Sequence, residues 1–252
     1  MAAILLFPAG LIFGSFATAV AHRIPRGESV VTGRSRCPGC GEQIAAYDNV
    51  PVLSWLLLRG RCRNCGAAIS ARYPLTELAM AVLFTLTALV LGTGDLGKLA
   101  LGLVFVTMLV TITVTDLELR VIPNAILLAG SAIGLAIVVG TDPSSLPERG
   151  IAALAAGGFL LAAALLYPRG MGLGDVKLAA AMGLFLGREV APAMLVALLA
   201  GALFGLAVML RKGAAAGRKT AVPFGPFLAL GGIVGLLAGS EIIDWYLDSF
   251  VG

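Results

Sequence analysis

The sequence has few charged residues and almost no histidine. Charged side chains make up 13% of the 252 residues and histidine occurs once, so a soluble domain and a histidine-based metal site or catalytic triad are not expected. No basic stripe with interleaved aromatic residues is present, which argues against a nucleic-acid partner despite the net charge of +4. Hydrophobic residues form 59% of the chain and the mean hydropathy is +0.97, as in polytopic membrane proteins.

Long apolar runs predict an all-α fold of about eight transmembrane helices. The runs lie at about 2–21, 75–92, 99–115, 123–140, 150–167, 176–191, 192–210 and 223–241. Residues 2–21 carry no charge, and the cations follow them at His22, Arg23 and Arg26, which is the reverse of a secretory signal. We therefore interpret this run as a retained first helix with its N-terminus outside.

The distribution of cations indicates the orientation, because cytoplasmic loops are enriched in lysine and arginine. With the N-terminus outside, all but three of the 18 lysines and arginines lie inside; the exceptions are Lys98, Arg149 and Arg188. The loop at 22–74 is therefore predicted to be cytoplasmic. The acidic end, from Glu241 to Asp248, is predicted to lie outside, beyond the last helix.

Two aspartates stand where apolar segments meet cationic loops. Asp116 ends the third predicted helix and Asp175 opens the sixth, so both are expected at the cytoplasmic face. A carboxylate at a membrane boundary is costly and usually marks a functional site. Two carboxyl groups close together share one proton and suit aspartyl protease chemistry. The alternative is two unrelated helix-terminal residues, with Asp175 as an N-cap.

All four cysteines lie in the loop at 22–74, where Cys37 and Cys40 form one CxxC pair and Cys62 and Cys65 form another. Two such pairs separated by 21 residues have the form of a four-thiolate zinc site. Four thiolates saturate a tetrahedral zinc ion, so we expect a structural metal that folds the loop. The alternative is four free thiols or a redox pair.

Taken in order along the chain, these motifs resemble the bacterial type IV prepilin peptidases, which are bifunctional leader peptidase and N-methyltransferase enzymes of the GxGD type. The resemblance covers most of the chain. Besides the cysteines and Asp116, it is carried by Gly14 to Phe16, Arg23 to Pro25, Asn49 to Trp55, Arg59 to Cys62, Arg72 to Leu78, Ile122 to Asn124, Gly172 to Lys177 and Pro223 to Phe227.

The resemblance implies a multi-pass enzyme of the bacterial inner membrane that cuts the basic leader from prepilins or pseudopilins after a glycine, at the cytoplasmic face. It then methylates the new N-terminal residue with S-adenosylmethionine. The family's catalytic aspartates fall on Asp116 and Asp175. The implied domains are a first helix at 1–21, a zinc loop with the methyltransferase region at 22–74 and a peptidase core at 75–252; no residue is identified as an S-adenosylmethionine ligand.

Glu77, at the cytoplasmic end of the second helix, is a further candidate, either for methyl transfer or as a partner of Arg72. Three other functions are weighed against the bifunctional enzyme: a peptidase without methyltransferase activity, an ion-coupled transporter and a zinc-loop assembly protein without catalysis. A transporter would show internal repeats and carboxylates near the middle of the bilayer. The sequence shows no such repeat, and it places both aspartates at the membrane face.

Overall fold

The computed structural model describes residues 2–30, 35–167, 171–213 and 222–250. In these residues the chain forms nine α-helices and no strand, which confirms the all-α prediction. Their bounds are α1 Leu6–Arg23, α2 Leu53–Leu57, α3 Arg72–Leu91, α4 Leu96–Leu119, α5 Asn124–Thr141, α6 Leu146–Leu166, α7 Leu173–Leu186, α8 Val190–Lys212 and α9 Gly225–Phe250. Four of the cations predicted to be cytoplasmic lie outside the described residues: Arg34, Arg169, Arg218 and Lys219.

Each of the eight predicted apolar runs corresponds to one long helix, and α2 is a short addition within the loop. The largest difference is at α9, which continues to Phe250 and so includes the acidic end that was predicted to follow the last helix. The acidic residues there alternate with aromatic ones at helical spacing, and Trp245 and Tyr246 both pack near Phe250. A hydropathy profile detects only the part of a helix that is apolar enough to lie in a bilayer. The backbone hydrogen bonds of α9 continue beyond that part.

Seven stretches of the described chain are long and apolar enough to cross a membrane. One of them, Leu173–Lys212, has 40 residues because it contains both α7 and α8. A straight helix of that length would extend about 60 Å, roughly twice the apolar thickness of a bilayer. Gly187, with φ at +65°, ends α7 and leads through a 3₁₀ turn into α8, so the stretch is divided close to the predicted boundary.

The chain divides into two compact units, Met1–Gly94 and Asp95–Gly252. In the first unit, α1 packs lengthwise against α3. Small residues make this approach possible: a Cβ atom added at Gly10 would overlap the backbone of Ala81, and one at Gly14 would lie 2.5 Å from the Cα of Glu77. Contacts between small residues are the usual way in which helices associate in lipid.

In the second unit, α4 is the central helix and 72% of its apolar window is buried. Its Phe105 is fully buried and stacks on Phe185 of α7 with ring centroids 4.9 Å apart. Glycines again bring neighbouring helices together, Gly183 of α7 against the backbone of α6 and Gly231 of α9 against the backbone of α8. This packing fixes the ends of α4, α7 and α9, which carry the candidate site.

Large apolar side chains also cover the outside of the helices. Leu154 is 79% exposed, and Leu165, Leu166 and Leu210 are similarly exposed. A soluble protein rarely exposes apolar surface on this scale. Together with the seven apolar stretches, these side chains identify a multi-pass membrane protein whose outer surface is solvated by lipid.

Candidate active site and metal site

Asp116 lies in the last turn of α4 and is 6% exposed. The helix ends three residues later, where Arg120 adopts a left-handed conformation with φ at +54° and donates its N–H to the carbonyl oxygen of Asp116 at 2.9 Å. This is a common way of ending a helix. The short cap ends α4 just beyond Asp116, whose side chain is buried.

The carboxylate of Asp116 meets the beginning of α9. Its Oδ2 accepts a hydrogen bond from the backbone N–H of Gly225 at 3.0 Å, across 109 residues of sequence. A Cβ atom added at Gly225 would lie 2.6 Å from Oδ2 and 3.1 Å from Cγ of Asp116. Only glycine therefore allows the backbone to approach the carboxylate this closely. The unpaired N–H groups at a helix N-terminus suit a negatively charged partner.

Asp175 occupies the third position of α7 and is 9% exposed. Its Oδ2 accepts a hydrogen bond from the backbone N–H of Gly172 at 3.3 Å, in the manner of a capping box. Gly174, between them in sequence, packs against Ile122, whose Cβ would lie 3.0 Å from a Cβ at position 174. The first turn of α7 is thus seated against the segment that joins α4 to α5.

Asp116 and Asp175 are 59 positions apart in sequence, but the helices that carry them are in contact, and Gly174 packs against Ile122, six residues after Asp116. Helices α5 and α6 cross the unit and return, which brings the start of α7 back to the end of α4. In each carboxylate the hydrogen bond from a backbone amide is accepted by Oδ2, which leaves Oδ1 available to a water molecule or a substrate. A buried pair of this kind suits acid–base catalysis.

Lys177 links the site to the neighbouring helix α5. Its Nζ donates to Oδ1 of Asn124 at 3.0 Å, so the residue two positions after Asp175 is tied to the first residue of α5. A mostly apolar groove of about 500 Å³ extends from this bond between α5, α6 and α7. It is lined by Asn124, Leu127, Leu128, Ser131, Ala153, Lys177, Ala180, Ala181 and Leu184.

The cysteine loop, in the first unit, consists of two turns with nearly the same hydrogen bonds. In the first turn, Gly41 donates to the carbonyl of Cys37 at 2.8 Å; in the second, Gly66 donates to the carbonyl of Cys62 at 3.0 Å. Both glycines have positive φ angles, of +72° and +70°, which a residue with a side chain rarely adopts. An isolated β-bridge closes each turn. The two CxxC pairs therefore form matching knuckles.

The four thiols are brought together, with all sulfur atoms within 4.8 Å of one another. Cys37 and Cys65 come from different knuckles, and their Sγ atoms are 3.7 Å apart. A tetrahedral zinc ion with Zn–S bonds of about 2.3 Å requires sulfur atoms roughly 3.8 Å apart. Hydrogen bonds from the backbone amides of Cys40 and Gly39 lower the pKa of the Cys37 thiol to about 6. The cluster can bind a metal ion.

Gly225 and Lys177 do not stand out as site residues in the sequence, although both belong to motifs that carry the family resemblance. The signal for Gly225 was a glycine between Phe224 and Pro226, directly before an apolar run. A glycine in that position could serve a turn as well as a close approach. Its role becomes visible only when α9 is placed beside α4.

Comparison with known proteins gives consistent results for both units. Residues 9–91 match the profile described as the bacterial peptidase A24 N-terminal domain, and residues 103–210 match that of the type IV leader peptidase family. Proteins named prepilin leader peptidase/N-methyltransferase are similar over nearly the whole chain. The protein of Bacillus subtilis (strain 168) is 36% identical over 98% of this chain and 99% of its own length. That of Aeromonas salmonicida is 35% identical over 98% and 94%. No solved structure matches.

Proposed function

The chain belongs to the type IV leader peptidase family, and we propose that it removes the basic leader peptide of type IV prepilins or pseudopilins after a glycine and then methylates the new N-terminal residue. The reaction would take place at the cytoplasmic face of a bacterial inner membrane, which the cation distribution supports. The observation that carries the proposal is the pair of buried carboxyl groups of Asp116 and Asp175, at the end of α4 and the start of the contacting helix α7, in the matched peptidase unit.

The proposed cleavage uses the two carboxyl groups as general base and general acid. A water molecule between the Oδ1 atoms gives a proton to the ionised carboxylate and attacks the carbonyl carbon of the scissile peptide bond. The protonated carboxyl group gives its proton to the nitrogen of the leaving amine as the C–N bond breaks. The amides of Gly172 and Gly225 hold the two Oδ2 atoms, so both Oδ1 atoms keep their orientation during the transfer.

We propose that Cys37, Cys40, Cys62 and Cys65 bind one structural zinc ion. The distance between Cys37 and Cys65 and the clustering of all four sulfur atoms support this assignment. With four thiolate ligands the ion has no open position for water, so its contribution would be to hold the two knuckles together. The loop between them is too short to form a core of its own, and its apolar side chains Leu53, Leu56 and Leu57 are exposed.

We assign methyl transfer to the loop region at 22–74 with its flanking helices, and peptide cleavage to the helices that follow. The match of the N-terminal profile to residues 9–91 and the names of the relatives support this division. S-adenosylmethionine would supply the methyl group. A transporter function is not favoured, because the relatives that match the full chain are named as enzymes.

Cleavage of a prepilin-like substrate by the purified protein in liposomes tests the proposal. Asp116→Asn and Asp175→Asn nearly keep the shape of each side chain and remove its acid–base chemistry, so both variants should be folded and should lose cleavage by at least about a hundredfold. Asp142→Asn is the matched control, since Asp142 is an exposed carboxylate at the end of α5. Near-normal cleavage by either active-site variant would refute the aspartyl mechanism.

A further inference from the structure

A third buried carboxylate lies in the first unit, where the cleavage mechanism does not use it. Glu77 of α3 is 7% exposed, and its Oε2 accepts a hydrogen bond from the backbone N–H of Val52 at 2.7 Å. Gly14 of α1 packs closely against α3 at this position, since a Cβ atom added to it would lie 2.5 Å from the Cα of Glu77. Glu77 thus joins three separate parts of the unit: α1, α3 and the loop.

The hydrogen-bonding partner in the loop has a strained backbone. Val52 has φ at +58° and ψ at −50°, and the N–H of Leu53 donates to the carbonyl of Pro51 at 2.5 Å. This is a γ-turn of the rare, strained type with a positive φ at its centre. A β-branched residue is an outlier there, because its Cβ crowds the backbone. Such conformations persist only where surrounding contacts hold them, and they are concentrated at functional sites.

The turn belongs to a segment that is ordered by its own hydrogen bonds. The hydroxyl of Ser54 accepts from the N–H of Val50 at 3.0 Å and donates to the carbonyl of Tyr47 at 2.9 Å. The segment from Tyr47 to Ser54 lies between the two cysteine knuckles in sequence. The bond from Glu77 to Val52 therefore ties the middle of the metal-binding loop to α3.

A contact that only stabilises the fold would not need both a buried carboxylate and a strained turn. Burying a carboxylate is unfavourable unless its partners compensate for the lost water, and here the partner is the backbone amide of Val52. The other described carboxylates of the unit differ: Glu28 and Glu42 are exposed, and Asp48 forms an ion pair with Arg63. An apolar side chain could hold the loop without burying a charge. A buried polar side chain that holds a strained turn points to a requirement of function.

We propose that Glu77 is a positioning residue for methyl transfer, because its carboxylate holds the turn at Val52 in the geometry that the methyl-transfer site of this unit requires. This inference rests on the proposed function, which assigns methyl transfer to the same unit. Glu77 acts through the backbone of the loop and not on the substrate. Its loss should leave peptide cleavage intact, because Asp116, Asp175 and Gly225 belong to the second unit.

The test uses the full-length protein in liposomes, with a pre-cleaved prepilin-like peptide and S-adenosylmethionine for methylation and an uncleaved one for cleavage. Glu77→Ala should lower kcat for methylation by about tenfold or more, the effect of losing a hydrogen bond to a charged group. Glu77→Gln should retain most activity, since its amide oxygen can still accept the Val52 N–H. Glu28→Ala, which removes an exposed carboxylate, is the control.

Two further measurements separate positioning from general stability. Hydrogen exchange of the Val52 amide should be slow in the wild type and fast in Glu77→Ala, while the exchange of α3 stays the same. Val52→Gly should restore part of the methylation to Glu77→Ala, because glycine adopts a positive φ without strain. In every variant, cleavage should stay within about twofold of the wild type.

The possible results are distinct. Normal methylation by Glu77→Ala would overturn the inference, and so would a parallel loss of cleavage, methylation and thermal stability. Absence of methylation by the wild-type protein under conditions that support cleavage would overturn the proposed second activity, and this inference with it. Selective loss of methylation with faster exchange at Val52 would support the inference.

Discussion

Gly225→Ala, which adds a single methyl group, is predicted to lower the rate of cleavage strongly. The added Cβ would lie 2.6 Å from Oδ2 of Asp116, closer than Cβ atoms approach other heavy atoms, and 3.1 Å from Cγ, which is a tight contact. To relieve the overlap, Asp116 or the first turn of α9 must move by several tenths of an ångström. The movement lengthens or breaks the 3.0 Å hydrogen bond between the N–H of residue 225 and Oδ2.

The size of the expected fall in cleavage rate follows from the hydrogen bond to Asp116 that is lost and from the displacement of that side chain. A hydrogen bond to a charged group contributes about 1.5–3 kcal/mol, and a small misplacement of a catalytic group can lower the rate by about a hundredfold. We therefore expect kcat for leader cleavage to fall by about a hundredfold. Methylation of a pre-cleaved peptide should be unchanged, because that activity is assigned to the first unit.

The assay compares cleavage of a prepilin-like substrate by Gly225→Ala with that by Gly205→Ala. Gly205 lies within α8 and has no heavy atom within 4 Å of an added Cβ, so its substitution should be neutral or slightly stabilising. Circular dichroism and thermal unfolding in detergent establish that both variants fold. A folded Gly225→Ala protein with cleavage close to the wild type would refute the claim that the Gly225 amide positions Asp116.

Two further predictions concern the metal site and the helix packing. The purified protein should contain about one zinc ion per chain by elemental analysis. Cys62→Ser should lose the zinc ion and the protease resistance of the loop, because three thiolates hold zinc less tightly than four. A full zinc content in Cys62→Ser would contradict the four-thiolate assignment. Gly183→Leu should lower the free energy of unfolding by about 3 kcal/mol, because its side chain would overlap the backbone of α6. Gly158→Leu, at an open position of α6, is the control for thermal unfolding, and equal stability of the two variants would contradict the packing.

Much of the fold follows from local features of the sequence. Apolar runs of bilayer length mark the long helices, since a membrane-spanning backbone must satisfy its own hydrogen bonds. Helix ends are less predictable, as α9 shows by continuing to Phe250 through residues that hydropathy would exclude. A hydropathy profile reports the cost of transfer into lipid, whereas a helix ends where its last carbonyls find other partners.

The candidate site, like the fold, was predictable from the sequence only in part. The types and spacing of the four cysteines, and the cost of aspartates beside apolar helices, made Cys37, Cys40, Cys62, Cys65, Asp116 and Asp175 candidates from sequence alone. The family resemblance that those motifs carried is confirmed by the matches over nearly the full chain. Their roles as catalytic residues and metal ligands remain the proposals made above.

Two hydrogen bonds became visible only in the tertiary structure. The backbone amide of Gly225 in α9 donates to Asp116, and the amide of Val52 in the strained turn donates to Glu77. These contacts depend on how closely helices and loop approach one another, and that distance is set by small residues such as Gly14 and Gly225. Spacing along one helix predicts which residues share a face. A contact across 109 residues is decided by the packing of separate elements, about which local spacing carries no information.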